Sequence, residues 1–273
     1  MLLKQALRMQ GFSLLNFIIS LKFKPMGYVF DFNDAQAYEQ SLQTAANRTI
    51  ADLENRLLIE LLKPLAGKRV LDIGCGAGAS LAPLLEAGLQ ATALDPSPYM
   101  LDIAKKKLGN RVDFHRGVAE DLPFDDNSFN YACLITTLEF VENPQKALQE
   151  ACRVATDRIF LGVMNRYAIK AVQLRLKGIF TKSIYNRARF FSVWELKQMI
   201  RSFLSDVPVS WKTVCQLQNV TGMFSHRIER LSFLQHCPFG MFAGLVVTLV
   251  PRFRTKPLSV PYGSKRSASE ITT

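Results

Sequence analysis

The stretch Arg69–Ser80 (RVLDIGCGAGAS) limits the folds open to this chain more than any other part of it. Its first residues are mostly apolar, which is typical of a short buried strand. Three glycines follow at alternate positions, and glycine tolerates positive φ and the close approach of a ligand to the backbone. Apolar residues at helical spacing begin near Ala79. A strand, a glycine turn and a helix N-terminus in this order predict a nucleotide-binding crevice.

Asp72 narrows the choice of ligand. It lies at the end of the predicted strand, two residues before Gly74. A carboxylate at this point would repel a pyrophosphate, so it argues against a dinucleotide and favours a ligand with an ammonium or sulfonium group. That combination points to S-adenosylmethionine. The plainer alternative is an ordinary strand-to-helix turn without a ligand.

A second acid stands at the spacing that a nucleoside site requires. Gln90–Leu94 has the composition of a second strand, and Asp95 closes it 19 residues after Gly76. An acid about 20 residues beyond the glycine loop is where a ribose is held, because a carboxylate accepts hydrogen bonds from both ribose hydroxyls. Ser97 and Pro98 then predict the start of a helix, as its N-cap and its first residue.

Strands and helices continue to alternate along the chain. Val112–Arg116, Phe129–Ile135 and Arg158–Val163 have strand composition, and a helix is predicted at residues 143–154. Residues 207–217 and 240–250 predict the last two strands. Strands that alternate with helices at these lengths indicate an α/β fold with a parallel sheet covered on both faces.

At this point the chain resembles the class I S-adenosylmethionine-dependent methyltransferases of the small-molecule type, the ubiquinone/menaquinone methyltransferase-like type 11 group. The resemblance covers roughly residues 50–165. It implies a Rossmann-like, doubly wound, mostly parallel seven-stranded sheet with an antiparallel last strand, S-adenosyl-L-methionine as cofactor, and no metal. The matching segments are Val70–Gly78, Leu94–Met100, Gly117–Phe124, Asp126–Phe129 and the helix 143–154 with its Glu-x-x-Arg-Val pattern.

The resemblance also assigns a cofactor site. The glycine loop approaches the methionine portion, Asp72 favours its cationic end, Asp95 holds the ribose, and Thr136 lines the methionine side. The predicted cofactor-binding residues are Asp72, Gly74, Cys75, Gly76, Gly78, Asp95, Pro96, Val118, Ala119, Glu120 and Thr136.

The adenine end departs from the family pattern. The family commonly carries an aspartate directly after the glycine that follows the third strand, where it holds the adenine amino group, and this chain has Val118 instead. Backbone groups of residues 119–120 and apolar neighbours such as Pro96 would then hold the adenine. Alternatively, the carboxylate of Glu120 or Asp121 reaches it.

The sequence identifies no dedicated catalytic residue. A sulfonium methyl group is already activated, so placing an acceptor in line and excluding water is most of the task. His226, Tyr28 and Tyr38 are candidate bases, with a structural role as the alternative for each. The two tyrosines lie in an N-terminal segment that would fold over the cofactor as a lid. Thr-Thr-Leu-Glu follows the fourth strand where amino-methylating enzymes carry Asn-Pro-Pro-Tyr, so nucleic acid is not expected as the acceptor.

Charge divides the chain into two unequal parts. The net charge is +11, yet residues 1–157 carry 16 Lys/Arg against 19 Asp/Glu, and residues 158–273 carry 18 against 4. A basic insertion is predicted at about 165–190. It would cover the active site, rest on an anionic membrane, or form an ordinary surface helix with its apolar face on the core. The expected acceptor is a small or lipid-like molecule.

The remaining boundaries follow from composition. Residues 26–66 form the predicted lid and first long helix, residues 67–253 the methyltransferase domain, and residues 254–273 a disordered basic tail. Residues 1–25 are an apolar, basic-flanked extension: an amphipathic membrane-surface helix, a poorly cleaved signal, or a stretch ahead of a true start at Met26, which we favour. Five cysteines without a paired spacing indicate a reducing cytoplasm.

Two other functions compete with methyl transfer. Gly74-x-Gly76-x-x-Ala79 formally satisfies a dinucleotide fingerprint, which would suit an NAD-dependent oxidoreductase. The basic C-terminal portion would also suit a non-catalytic methyltransferase-like module that binds RNA or a membrane. Asp72 speaks against the first alternative. The scarcity of aromatic residues within the basic segment speaks against RNA.

Overall fold

The structure, a computed structural model, describes residues 27–168, 187–204, 206–214 and 237–249. Its strands are β1 (Arg69–Ile73), β2 (Gln90–Asp95), β3 (Val112–Arg116), β4 (Phe129–Ile135), β5 (Ala155–Met164), β6 (Val209–Val214) and β7 (Phe242–Thr248). Its α-helices are α1 (Phe32–Leu42), α2 (Ala45–Leu62), α3 (Leu81–Glu86), α4 (Pro98–Leu108), α5 (Pro144–Val154) and α6 (Val193–Arg201).

The strands form one seven-stranded sheet in the order β3-β2-β1-β4-β5-β7-β6. Neighbouring strands from β3 to β5 pair in parallel, and β7 is antiparallel to both β5 and β6. The predicted fold class is therefore confirmed, including the antiparallel last strand. The order reverses at β1, so the carboxyl ends of β1, β2 and β4 border the crevice in which such sheets bind ligands.

Helices cover both faces of the sheet, as the alternation predicted. In one layer, α2 packs against β5, β6 and β7, whereas α3 packs against β2, and α4 packs against β2 and β3. The core of this layer includes Val70, Leu81 and Leu101, all nearly solvent-free. The other layer holds α5 and α6 and packs around Leu148 and Phe191. None of the helices in the described part of the chain combines the length and apolar character that crossing a bilayer requires.

Several element boundaries differ from the sequence prediction. β5 begins at Ala155 rather than residue 158, because Ala155 is already extended (φ −98°, ψ 145°) and the chain passes from α5 directly into the strand. The glycine loop continues beyond Ala79, and α3 begins only at Leu81. The last two strands are shorter than predicted within the described residues. The end of the predicted strand 207–217, most of the basic insertion and the predicted tail lie outside those residues.

Candidate functional site

A single cleft opens where β1, β2 and β4 end. All of the predicted cofactor-binding residues except Asp72 and Gly78 line it. Residues from the N-terminal segment, α2 and the loop after β4 complete its walls. The glycine loop and the lid, which are far apart in the sequence, therefore face each other across one space.

Two glycines of the loop, Gly74 and Gly76, are needed for different reasons. Gly74 has φ +73°, and a Cβ atom there would lie 2.5 Å from the Cγ2 of Thr137. Gly76 has φ +51° and lines the cleft, and no protein atom lies within 4 Å of the position its Cβ would occupy. Glycine at Gly74 permits the fold of the loop, whereas glycine at Gly76 leaves space for a ligand beside the backbone.

Asp72 lies beneath the loop and is completely buried. Its Oδ2 accepts a hydrogen bond of 2.5 Å from the Ser80 hydroxyl, and its Oδ1 has no hydrogen-bond partner. Burial is the main cause that raises the pKa of Asp72 to about 7; the hydrogen bond from Ser80 lowers the pKa, and the nearby charge of Asp95 raises it. A buried carboxyl oxygen without a partner is costly. Asp72 lies outside the lining of the cleft, so its role toward the cationic end of S-adenosylmethionine stays a prediction.

Asp95 connects the glycine loop to the start of α4. Its Oδ2 accepts the Gly76 amide at 2.9 Å and its Oδ1 accepts the Ser97 amide at 2.8 Å. Burial raises the pKa of Asp95, while these two amides lower it. Each carboxylate oxygen retains a second acceptor position, so the side chain is held rigidly and can still accept hydrogen bonds from a ribose.

The wall predicted to hold the adenine is partly open. Val118 is 45% exposed and lines the cleft, with Ala119 beside it. Glu120 also lines the cleft, and its Oε1 accepts the amides of Glu142 and Asn143 at 2.8 and 3.2 Å, which ties this loop to the start of α5. Asp121 does not line the cleft. Of the two acids that were considered for the adenine, only Glu120 lines the cleft, and its contact with the adenine stays a prediction.

The loop after β4 adds two threonines. Thr136 lines the cleft with φ +53°, a left-handed conformation that a β-branched residue rarely adopts. Such strain persists where the surrounding structure enforces it, and it is frequent at functional sites. The sequence analysis missed Thr137, whose Oγ1 donates to the Ile73 carbonyl at 2.7 Å and whose methyl group packs on Gly74.

The N-terminal segment closes one side of the cleft. The Tyr28 amide donates to the Phe140 carbonyl at 2.7 Å, and the Ser97 hydroxyl donates to the Phe30 carbonyl at 2.7 Å. The ring of Phe30 lies 5.2 Å from that of Phe140 and 6.3 Å from that of Tyr38. These contacts hold an aromatic wall over the cleft, in the position that the lid hypothesis requires.

The three candidate bases have different outcomes. Tyr28 and Tyr38 both line the cleft. The Tyr28 hydroxyl donates to Asp34, and burial together with this hydrogen bond raises the pKa of Tyr28 to about 12. A phenol of that pKa stays protonated near neutral pH and is a poor base. His226 lies outside the described residues.

Two acids near the cleft, the half-buried Glu54 and the buried Glu139, escaped the sequence analysis. Glu54 of α2 lines the cleft, and Glu139, after β4, is 1% exposed. Burial raises the pKa of each to about 8. The sequence carried a signal for Glu54: it falls between Ile50 and Leu57 on the apolar face of its helix, where a charge is unexpected.

Comparisons with known proteins agree with this geometry. The family model described as a methyltransferase domain matches residues 71–158. A demethylmenaquinone methyltransferase of Renibacterium salmoninarum is 41% identical over 99 residues, which cover 36% of this chain and 41% of that protein. An uncharacterized protein of Methanocaldococcus jannaschii is 35% identical over 147 residues, covering 52% of this chain and 67% of that protein. The chain thus spans about two fifths of the menaquinone-type relative.

A solved structure extends the likeness to most of the fold. The crystal structure of an S-adenosylmethionine-dependent methyltransferase from Thermotoga maritima matches with a TM-score of 0.61 and 26% identity, covering 78% of this chain and 94% of that one. The glycine loop, the buried Asp72 and Asp95 fit the cofactor of this group. No comparison supports the oxidoreductase or the non-catalytic alternative. The chain belongs to the class I S-adenosylmethionine-dependent methyltransferases of type 11.

Proposed function

We propose that this protein transfers the methyl group of S-adenosylmethionine to a small, apolar, lipid-like acceptor. The observation that carries the proposal is the two-sided cleft. One side offers a glycine loop and the carboxylate of Asp95, and the other offers the aromatic residues Tyr28, Phe30 and Phe140. The polar side of the cleft would thus bind a nucleoside, and the aromatic side would bind an apolar acceptor.

In this proposal, the residues of the chain bind the cofactor, orient the acceptor and exclude water from the site. Asp95 would hold the ribose, the loop at Gly74 and Gly76 would admit the methionine portion, and Asp72 would favour its positive charge. When bound, S-adenosylmethionine supplies an activated methyl group. The aromatic lid would keep water from the reacting centre and hold the acceptor in line with that group.

Two observations support this class of acceptor: the names of similar proteins and the aromatic residues that line the cleft. Several similar proteins are demethylmenaquinone methyltransferases, whose names indicate a quinone-type lipid. An apolar aromatic ring would pack well against Phe30 and Phe140. We therefore place a quinone-like or similarly apolar aromatic molecule first among acceptors for this chain.

Two measurements test the proposal. Calorimetry should show that S-adenosylhomocysteine binds and that Asp95→Ala weakens this binding, with the exposed Asp102→Asn as control. Methyl-labelled S-adenosylmethionine should then be incubated with a cell lysate, which is separated into lipid, small-molecule and RNA fractions. Label in the lipid or small-molecule fraction supports the proposal. Absence of binding, equal binding by Asp95→Ala, or label in RNA contradicts it.

We also propose a cytoplasmic location with peripheral contact to anionic membranes. The exposed rings of Tyr167 and Trp194 contact each other at 5.9 Å, and Arg187 and Arg189 lie at the end of the predicted basic insertion in the sequence. Aromatic and basic side chains together suit a lipid interface. Co-sedimentation with anionic vesicles, lost with neutral vesicles and reduced in Trp194→Ala, is the expected result. Equal sedimentation with both vesicle types would contradict it.

A further inference from the structure

The charged side chains that line the cleft all have the same sign. Among the described residues of its lining, three carry a charge, and all three are acids: Glu54, Asp95 and Glu120. S-adenosylmethionine carries an ammonium, a sulfonium and a carboxylate, so its net charge is positive. Its positive groups belong to the methionine portion, and an acid of the cleft should therefore lie near that portion.

Two of these acids already have partners in the nucleoside part of the site. Asp95 accepts two backbone amides where the ribose is predicted, and Glu120 accepts two others on the wall predicted for the adenine. Glu54 is half-buried and lines the cleft, and it forms no hydrogen bond or ion pair in the part of the chain that the structure describes. Its carboxylate is therefore free to bind a ligand.

The order of the strands sets the direction in which the cofactor would lie. Along the sheet, the wall predicted for the adenine follows β3, Asp95 ends β2, the glycine loop follows β1, and Thr136 follows β4. A cofactor with its adenine beside Val118 and its ribose at Asp95 would thus extend its methionine portion toward β1 and β4. Helix α2 packs farther along the same sheet, against β5, β6 and β7. Glu54 therefore lies on the methionine side of the cleft.

A hydrogen bond holds the turn of α2 that carries Glu54 beside the glycine loop. The side-chain amide of Asn55 donates to the Ala79 carbonyl at 3.4 Å, and both residues line the cleft. The helix and the loop thus border the same end of this space. Asp72, which was predicted for the positive charge, lies outside the lining. A direct contact with the methionine portion is open to Glu54 instead.

We propose that the carboxylate of Glu54 binds the ammonium group of the methionine portion of S-adenosylmethionine. An ammonium is a donor of three hydrogen bonds, and a carboxylate oxygen accepts them as strong, charge-assisted bonds. Burial raises the pKa of Glu54 to about 8, and an ammonium beside it favours the charged form of the carboxylate. The inference rests on the proposed function for its cofactor and is independent of the acceptor.

A thermodynamic cycle of two proteins and two ligands tests the contact. The proteins are the wild type and Glu54→Gln, which removes the charge and keeps the size of the side chain. The ligands are S-adenosylhomocysteine and its deamino analogue, which lacks only the ammonium. Calorimetry should show that Glu54→Gln weakens the binding of S-adenosylhomocysteine by about 5- to 30-fold and that of the analogue by less than about 2-fold. The partial exposure of Glu54 keeps this effect below that of a fully buried charge.

Two further variants serve as controls. Asp52→Asn changes an exposed acid on the same helix and should leave the affinity for both ligands unchanged. Asp95→Asn should weaken both ligands alike, because both carry the ribose. The melting temperature of Glu54→Gln should equal or exceed that of the wild type, because the substitution removes a half-buried charge. A loss of affinity in that variant then cannot come from unfolding.

Three results would overturn the inference. The first is an unchanged affinity of Glu54→Gln for S-adenosylhomocysteine. The second is equal weakening of both ligands, which would mean that the substitution acts on the shape of the cleft. The third is a loss confined to S-adenosylmethionine itself, measured in the same way, which would assign Glu54 to the sulfonium. Failure of the proposed function is distinct, because the wild type would then bind neither ligand.

Discussion

The two sides of the cleft are built in different ways. The cofactor side comes from a short run of sequence, β1 to the start of α4, and its key contacts join backbone amides to Asp95. The proposed acceptor side combines the N-terminal segment, one turn of α2 and the loop after β4, and it is held by aromatic packing together with hydrogen bonds at the backbone of Tyr28 and Phe30. A site made of backbone groups keeps its shape when the surrounding side chains vary, whereas a surface made of side chains changes its shape with each substitution. The difference explains how one cofactor site can serve many acceptors.

The largest effect should come from the point where the two sides touch. Gly74→Ala would place a Cβ 2.5 Å from Thr137 at a φ of +73°. The strained φ and the overpacking should together lower the free energy of unfolding by about 2–5 kcal/mol and abolish cofactor binding. Thermal unfolding and calorimetry with S-adenosylhomocysteine measure both.

Gly67→Ala is the matched control for this change. Gly67 has φ +79°, but no atom lies within 4 Å of its Cβ position. Gly67→Ala should lower the free energy of unfolding only by the cost of the positive φ, about 1–2 kcal/mol, and should still bind S-adenosylhomocysteine. Equal effects of the two substitutions would show that contact with Thr137 is unimportant.

Removing the carboxylate of Asp95 should have the next largest effect and should act on the cofactor side alone. Asp95→Asn keeps the size of the side chain but loses the charge that both backbone amides and a ribose would use. Hydrogen bonds to charged groups contribute about 1.5–3 kcal/mol, so we expect affinity to fall by about 10- to 150-fold. Calorimetry measures this. An unchanged affinity would remove Asp95 from the site.

The lid should respond more weakly, and its effect should fall on the acceptor side. Tyr28→Phe removes the hydroxyl that donates to Asp34 but keeps the ring. Because its high pKa excludes Tyr28 as a base, we expect only the loss of one hydrogen bond, about 1 kcal/mol, and a fall in transfer rate below 10-fold. Initial rates with the lipid extract measure it. A fall beyond 100-fold would return Tyr28 to the catalytic candidates.

The smallest expected effect is a pH-dependent change in the free energy of unfolding. It comes from Glu150, which supports the wall predicted to hold the adenine. Glu150 accepts the Leu122 amide at 2.9 Å and pairs with Arg153, whose hydrogen bonds lower the pKa of Glu150. Because the pKa of Glu150 is lower in the folded state than in the unfolded state, Glu150 stabilises the fold at pH values above its unfolded pKa of about 4.3. This stabilisation is lost as the pH falls through the pKa of the folded state.

Denaturant unfolding of wild type and Glu150→Gln should therefore differ by about 0.5–1 kcal/mol at pH 7 and converge in acid. Asp126→Asn, which changes the more exposed partner of Arg153, should have less effect at pH 7. A difference that persists unchanged at pH 3 would contradict the assignment to Glu150.

Much of the fold was readable because its signals are local. The glycine loop, Asp95 at its spacing and the helix cap at Ser97 each depend on a few adjacent residues, and the predicted cap accepts its hydrogen bond from the Met100 amide. The boundaries failed where tertiary contacts decide them. β5 starts early because α5 runs directly into it, and no short motif marks such a junction.

The sequence by itself determined the fold class, the family and its cofactor, because a parallel α/β sheet concentrates these requirements in contiguous strand-turn-helix units. Only the tertiary structure decided which distant side chains share the acceptor side of the cleft. The contacts of Thr137 with Gly74 and of Phe30 with Phe140 both join segments separated by dozens of residues. Their proximity depends on how α2 and the N-terminal segment pack on the sheet, which no local pattern encodes.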